Sequence, residues 1–315
     1  MLQNPMDILT RYPIRKTQKQ KTEFLLDAVQ FAESLHYPVQ VEKGSRGVRN
    51  IVIGDPSRAK YLVTAHYDTP ASIGLPNFIT PNNPVLYFLI QLLLVGIMIA
   101  VSVGVGYGVS LLLHATQFAF LTAYLTYVGL LLLMLMGPAN RNNANDNTSG
   151  VVTILEIASS LPENLRSRVA FVLFDLEEQG LVGSAVYKKM HKAQIQNQVV
   201  LNLDCVGDGD VIQLSPVSRY RKNEVAMKFL ETICGQVGKK RIQLRSKGFT
   251  GGNSDHKHFP NGVGIMAFRH KKGIGLYCGR IHTWRDTILD KTNVNILRAA
   301  IISLISADIP QNITK

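Results

Sequence analysis

The sequence predicts an α/β domain whose central sheet is covered by helices on both faces, interrupted by two long apolar helices. Three observations lead there. Through residues 150–305, apolar runs of strand length alternate with amphipathic stretches of helix length. Several of those runs end in an acidic or imidazole side chain. Between Asp68 and Arg141 there is not one Lys, Arg, Asp or Glu. At 315 residues the chain is long enough for one large core with an insertion.

The elements follow in order. Residues 1–21 are polar and basic and read as a partly mobile segment. A helix is expected over 22–35, where Phe24, Leu25, Ala28, Val29, Ala32 and Leu35 repeat at helical period. Strands are expected at 37–42 and 48–53, joined by a turn at 44–47. A second turn at 55–57 feeds a buried strand, 61–65, that delivers His66 and then Asp68 at its C-terminal end. That edge of an α/β sheet is where binding groups collect. Residues 69–84 form a loop. The apolar runs 85–113 and 118–136 each approach the ~20 residues that span hydrocarbon. They read as a transmembrane hairpin inserted at 78–137, with 22–77 and 138–315 as one domain on a single side. Gly104, Gly106 and Gly108 mark close packing or a kink.

Beyond the hairpin, 142–149 is a polar loop carrying Asp146. Helices are expected at 150–161, 181–190, 220–237 and 294–305. Strands are expected at 168–174, 199–203, 211–214, 242–244 and 263–268. The strand at 168–174 runs into Glu177 and Glu178, and the one at 199–203 into Asp204. A Gly-rich polar loop covers 250–258. A second loop, 271–283, carries Tyr277 and His282.

The formal net charge of +12 comes without a base-reading basic helix, zinc-finger spacing or aromatic–basic interleaving. Nucleic acid is therefore not expected as a partner, and a basic surface facing a lipid bilayer is. Three cysteines, Cys205, Cys234 and Cys278, argue against a disulfide framework and for a reducing compartment. The first residues lack the apolar run of a cleavable signal. Arg58, Lys60 and Arg141 flank the apolar runs and favour a cytoplasmic domain. The expectation is an integral protein of the plasma membrane with that domain in the cytoplasm.

His66, Asp146, Glu177, Glu178, Asp204 and His282 are expected to converge. Four carboxylates and two imidazoles suffice to hold two zinc ions and leave one general base. Two such ions need a bridging carboxylate. Of the glutamate pair, neighbours after a strand point apart, so one can ligate while the other faces the attacking water. Asp68 is expected to orient His66, and Asp286 to orient His282. Tyr277 is a candidate donor to a developing oxyanion. Asp255 and His256 are candidates for the pocket wall.

The motifs AHYDTP at 65–70, NDNTSG at 145–150, DLEEQGLVGS at 175–184, NLD at 202–204, SDHKHF at 254–259 and IHTWRDT at 281–287 resemble the M28 family of zinc peptidases, of co-catalytic aminopeptidase type. The resemblance implies a three-layer α/β/α sandwich with a mixed, phosphorylase/hydrolase-like sheet. It implies one zinc on His66 and Asp204, the other on Glu178 and His282, and Asp146 as bridge. Glu177 would be the general acid/base, Asp68 would support His66, and the substrate would be a peptide with a free N-terminus. Two departures stand out. NDNTSG is less acidic than the DDGTSG form common in the family, and the charge-free hairpin is foreign to soluble members. A glutaminyl cyclase-like single-zinc enzyme and an inactive membrane scaffold of the same fold are the alternatives.

Overall fold

The structure, a computed structural model, describes residues 2–73, 77–245 and 253–307. Its centre is strand β3 (Tyr61–His66), all six residues of which are buried. It lies between β4 (Val169–Phe174) and β5 (Val199–Leu203), parallel to both. A strand flanked on both sides and covered on both faces has no polar side, hence its continuous apolar run.

Outward from this core one edge continues through β2 (Arg49–Ile53) to β1 (Val39–Lys43), both pairings antiparallel. The other continues through β9 (Gly262–Lys271), β6 (Val211–Pro216), β8 (Lys240–Leu244) and β7 (Gly235–Val237). β10 (Gly275–Tyr277) pairs antiparallel with β9. The sheet is mixed, with β4, β3, β5 and β9 parallel at its heart.

Strand period two sorts the core into two layers. Val63, Phe171 and Leu201 face one side, where they pack with α2 (Gln18–Ser34), α5 (Ser149–Ser160), α8 (Glu224–Glu231) and α9 (Lys291–Ser306). Leu62, Val172 and Val200 face the other, under Tyr187 of α6 (Val182–Met190) and Phe259. The result is the three-layer α/β/α arrangement with a mixed sheet that the sequence led us to expect.

Three local expectations change. Residues 2–21 are not a loose tail. Ile8, in α1 (Ile8–Arg11), and Arg15 are fully buried, and Lys21 ion-pairs with Asp175 at 2.7 Å inside the domain. The helix at 22–35 starts earlier, because Thr17 and Gln20 form a capping box that opens α2 at Gln18. The single helix at 220–237 is three elements: α7 (Ser218–Arg221), α8 and β7. Asn223 breaks it by capping α8 through the Ala226 N–H. Gly238, at φ +59°, then sits in the two-residue turn between Val237 and Lys240. Of the Gly-rich loop, 250–252 lie outside the described residues.

The apolar runs form α3 (Pro84–Leu112) and α4 (Gln117–Met136), packed against each other. At 1.5 Å per residue they are about 43 and 30 Å long. By length and composition both could cross a membrane. Among the described residues many of their side chains are exposed: Leu92 is 67% exposed and Phe120 82%. Of the three glycines, only Gly106 is a contact. A Cβ there would sit 2.9 Å from the Ala123 Cβ, and closer still to the Ala119 carbonyl, whereas Gly104 and Gly108 face open space.

Candidate metal centre

The ends of the parallel strands put the expected side chains in one place. β3 ends in His66, with Asp68 two residues on. β4 leads to Glu177 and Glu178, and β5 to Asp204. The loop before α5 brings Asp146, and the loop before α9 brings His282. Asp146 stands between the histidines: Oδ1 is 3.3 Å from His66 Nε2, and Oδ2 is 3.0 Å from His282 Nε2. Each histidine has a second acidic neighbour. Asp204 Oδ1 is 3.7 Å from His66 Nε2, and Glu178 Oε2 is 3.6 Å from His282 Nε2. Possible ligand atoms of His66, Asp146 and Glu178 lie within 4.8 Å of one another, as do those of His66, Glu177 and Asp204. Backbone strain flanks the cluster. Leu176, Cys205 and His282 all have φ between +55° and +59°, a conformation costing about 1–3 kcal/mol each in non-glycine residues.

The electrostatics show a cluster crowded with negative charge. Burial pushes Glu177 well up, with Glu178, Asp255 and Asp204 adding to it and His66 opposing. Burial pushes Glu178 up to about 8, against His282. Burial opposes charge on His282, but Glu178 and Asp146 outweigh it and raise the imidazole to about 9. His66 is likewise raised against its burial, by Glu177, Asp146 and Asp204. Asp146 is held low despite burial by both histidines. Glu178 Oε1 is buried without a hydrogen-bond partner. Hard oxygen and imidazole donors, an orphaned carboxylate oxygen and unrelieved repulsion are what a divalent cation satisfies. The residues present therefore fit zinc.

Supporting groups differ in part from expectation. The Asp68 carboxylate accepts the backbone N–H groups of Glu177 and Glu178, at 3.0 and 3.2 Å. It is the Asp68 backbone oxygen that lies nearer His66 Nδ1, at 3.1 Å against 3.6 Å for Oδ1. Asp286 takes the N–H groups of Asn145 and Asp146 at 2.8 and 2.9 Å, so it fixes the Asp146 loop rather than the His282 ring. Tyr277 is not brought to the cluster. Residues 271–283 are not all loop: β10 pairs Tyr277 with Arg269 and carries it to a separate hollow beside Asp208 and Lys240. Cys205 is buried, and burial raises its thiol well above the ordinary value, so it is packed, not nucleophilic.

Sequence reasoning missed several partners. Arg15 is buried behind the cluster, donating to the Tyr67 carbonyl and to Thr148 Oγ1. Ser254 donates to Asp204 Oδ2 at 2.6 Å and is itself held by Asn202, which Thr64 holds in turn. Asn145 and Asn147 clamp the far side. Asn145 Oδ1 accepts from Gly207 and Asp208, and Asn147 Oδ1 from Gly150 and Cys205. Asn145 Oδ1 thus meets backbone donors, an acceptor role that a carboxylate oxygen could fill as well. The signal was the pair of amides flanking Asp146.

Over the cluster opens a cleft of about 400 Å³. Its walls include His256, buried with its imidazole lowered to about 4 by burial, and Gly264, whose Cβ would stand 2.7 Å from that ring. Asp255 is buried beneath, and burial pushes it up to about 7.

Residues 132–304, more than half the chain, match the model of peptidase family M28, and the chain belongs to that family. No curated protein matches it in sequence. Among solved structures it is similar to a glutaminyl cyclase of Porphyromonas gingivalis, with a TM-score of 0.60, 17% identity and 96% of each chain covered. The LapA aminopeptidase of Legionella pneumophila gives 0.56 at 16% identity, covering 97% of this chain and 69% of that one. A leucine aminopeptidase precursor of Bacteroides thetaiotaomicron gives 0.55 at 15%, covering 94% and 92%. At these identities the likeness is one of fold.

Proposed function

We propose that the chain is a membrane-anchored dinuclear zinc aminopeptidase that removes N-terminal residues from peptides. The observation that carries this reading is Asp146, one carboxylate oxygen on each histidine and each histidine with its own second carboxylate. His66 and Asp204 would hold one zinc, Glu178 and His282 the other, and Asp146 both. Zinc bound there would supply Lewis acidity to the scissile carbonyl and lower the pKa of water. The protein's own part is proton transfer and positioning. Glu177, half-buried and left out of that ligand set, takes the proton of the attacking water and returns it to the leaving amine. Asp68 holds the backbone of both glutamates, which keeps base and ligand at fixed separation. The remaining negative charge of the site receives the substrate's N-terminal ammonium.

In this reading α3 and α4 form the hairpin of residues 78–137 that crosses the bilayer, and 22–77 with 138–315 form the catalytic domain. Their apolar, mostly exposed surfaces support it. The basic residues at the flanks, Arg58, Lys60 and Arg141, favour the cytoplasmic side.

Glu177→Gln tests the role of the base. Turnover of aminoacyl substrates should fall by roughly 10²–10⁴-fold with zinc content unchanged. Full activity in that variant refutes the assignment. A peptide with an N-terminal glutamine, run beside the aminoacyl panel, separates hydrolysis from cyclisation.

A further inference from the structure

The two apolar helices do more than emerge near the site. Tyr87, in the first turn of α3, and Leu135, in the last turn of α4, both line the cleft that holds His66, Glu177 and His282. Both are fixed from the domain side. Lys16 Nζ donates to the Leu135 carbonyl at 3.2 Å. Asn83 caps α3 through the Leu86 N–H at 3.0 Å, and Thr80 Oγ1 donates to the Asn83 carbonyl. The neighbouring segment is pinned by a reciprocal backbone pair between Ile79 and Cys278. Tyr87, Leu135, Ile79 and Met266 give the cleft an apolar side, and the acidic donors give it a polar one. Leu135 is 54% exposed, so its side chain is open to a ligand.

From this juxtaposition we infer that the hairpin is part of the substrate-binding surface. Tyr87 and Leu135 are specificity-determining residues that contact the side chain of the substrate's N-terminal residue and favour apolar ones. The inference rests on the aminopeptidase reading. An ammonium held among carboxylates leaves its side chain to be received elsewhere in the cleft. The apolar side is the surface that gains by burying a branched aliphatic chain, at about 25 cal/mol per Å².

The test is steady-state kinetics of the full chain, zinc-loaded in lipid nanodiscs, on leucyl and alanyl chromogenic amides. Tyr87→Ala and Leu135→Ala should each lower kcat/KM for the leucyl amide about tenfold, mainly through KM, and barely change the alanyl amide. Leu92→Ala, on an exposed face of α3, should change neither. Should Tyr87→Ala not fold, Leu135→Ala, at a half-exposed side chain, reads the same ratio. An unchanged leucyl-to-alanyl ratio in active variants overturns the inference and leaves the aminopeptidase reading standing. A zinc-loaded wild type that cleaves neither amide refutes that reading, and the inference with it.

Discussion

Stripping the metal should reverse the usual dependence of stability on pH. In the metal-free chain burial pushes Glu178 up to about 8 and Asp255 and Asp286 up to about 7, with neighbouring acids adding to it. Burial opposes charge on His282, but Glu178 and Asp146 raise it to about 9. A group whose folded pKa lies above its unfolded value stabilises fully below the unfolded value, and that stability is lost as pH rises through the folded one. All four groups therefore act in one direction between pH 6 and 9. Asp146 and Asp204, held low, have already lost their protons in that window. Near pH 7 these four groups alone leave the folded chain holding about 2.5–3 protons more than the unfolded one, so stability falls by roughly 3–4 kcal/mol per pH unit. For a domain of this size that lowers Tm by on the order of 5 °C per unit. The assay is thermal unfolding in detergent after chelation, at half-unit steps from pH 6 to 9. Ligation requires deprotonated donors, so zinc should flatten or invert the slope. A metal-free Tm that holds level or climbs from pH 6 to 9 refutes the electrostatic picture of the site.

Two further outcomes follow from packing. Lys21→Met leaves Asp175 buried opposite an apolar side chain and should cost about 3–5 kcal/mol, read as a drop in the denaturation midpoint; a loss below 1 kcal/mol contradicts the tight pairing. Gly106→Leu drives a side chain into the Ala119 carbonyl and Ala123 and should cost about 1–3 kcal/mol of thermal stability in detergent, while Gly104→Leu, facing open space, should not. Equal effects at the two positions would mean that α3 and α4 do not pack as described.

The sequence and the structure agree where periodicity and chemistry act locally. β3, β4 and β5 are legible because their apolar runs are short and end in acidic or imidazole residues that have no place in a core. α3 and α4 are legible from the absence of charge alone. The division of 220–237 is not, because Asn223 and Gly235 are weak breaks in a strong apolar period, and the strand forms only by pairing with β8. Arg15 and Lys21 look like any basic leader, and their burial depends on carbonyls and a carboxylate contributed by distant segments. Tyr277 departs from its expected place for the related reason that a hairpin, not a loop, carries it. Asp286 is legible as a supporting group, but which neighbour it supports follows only from the three-dimensional path of the Asp146 loop.

Zinc content tests the central claim most directly. Elemental analysis of the purified full chain, after dialysis against a small excess of zinc, should give two ions per chain, and Asp146→Ala, which removes the shared ligand, should give close to none. One ion or fewer in the wild type, or two retained in Asp146→Ala, would contradict the dinuclear centre.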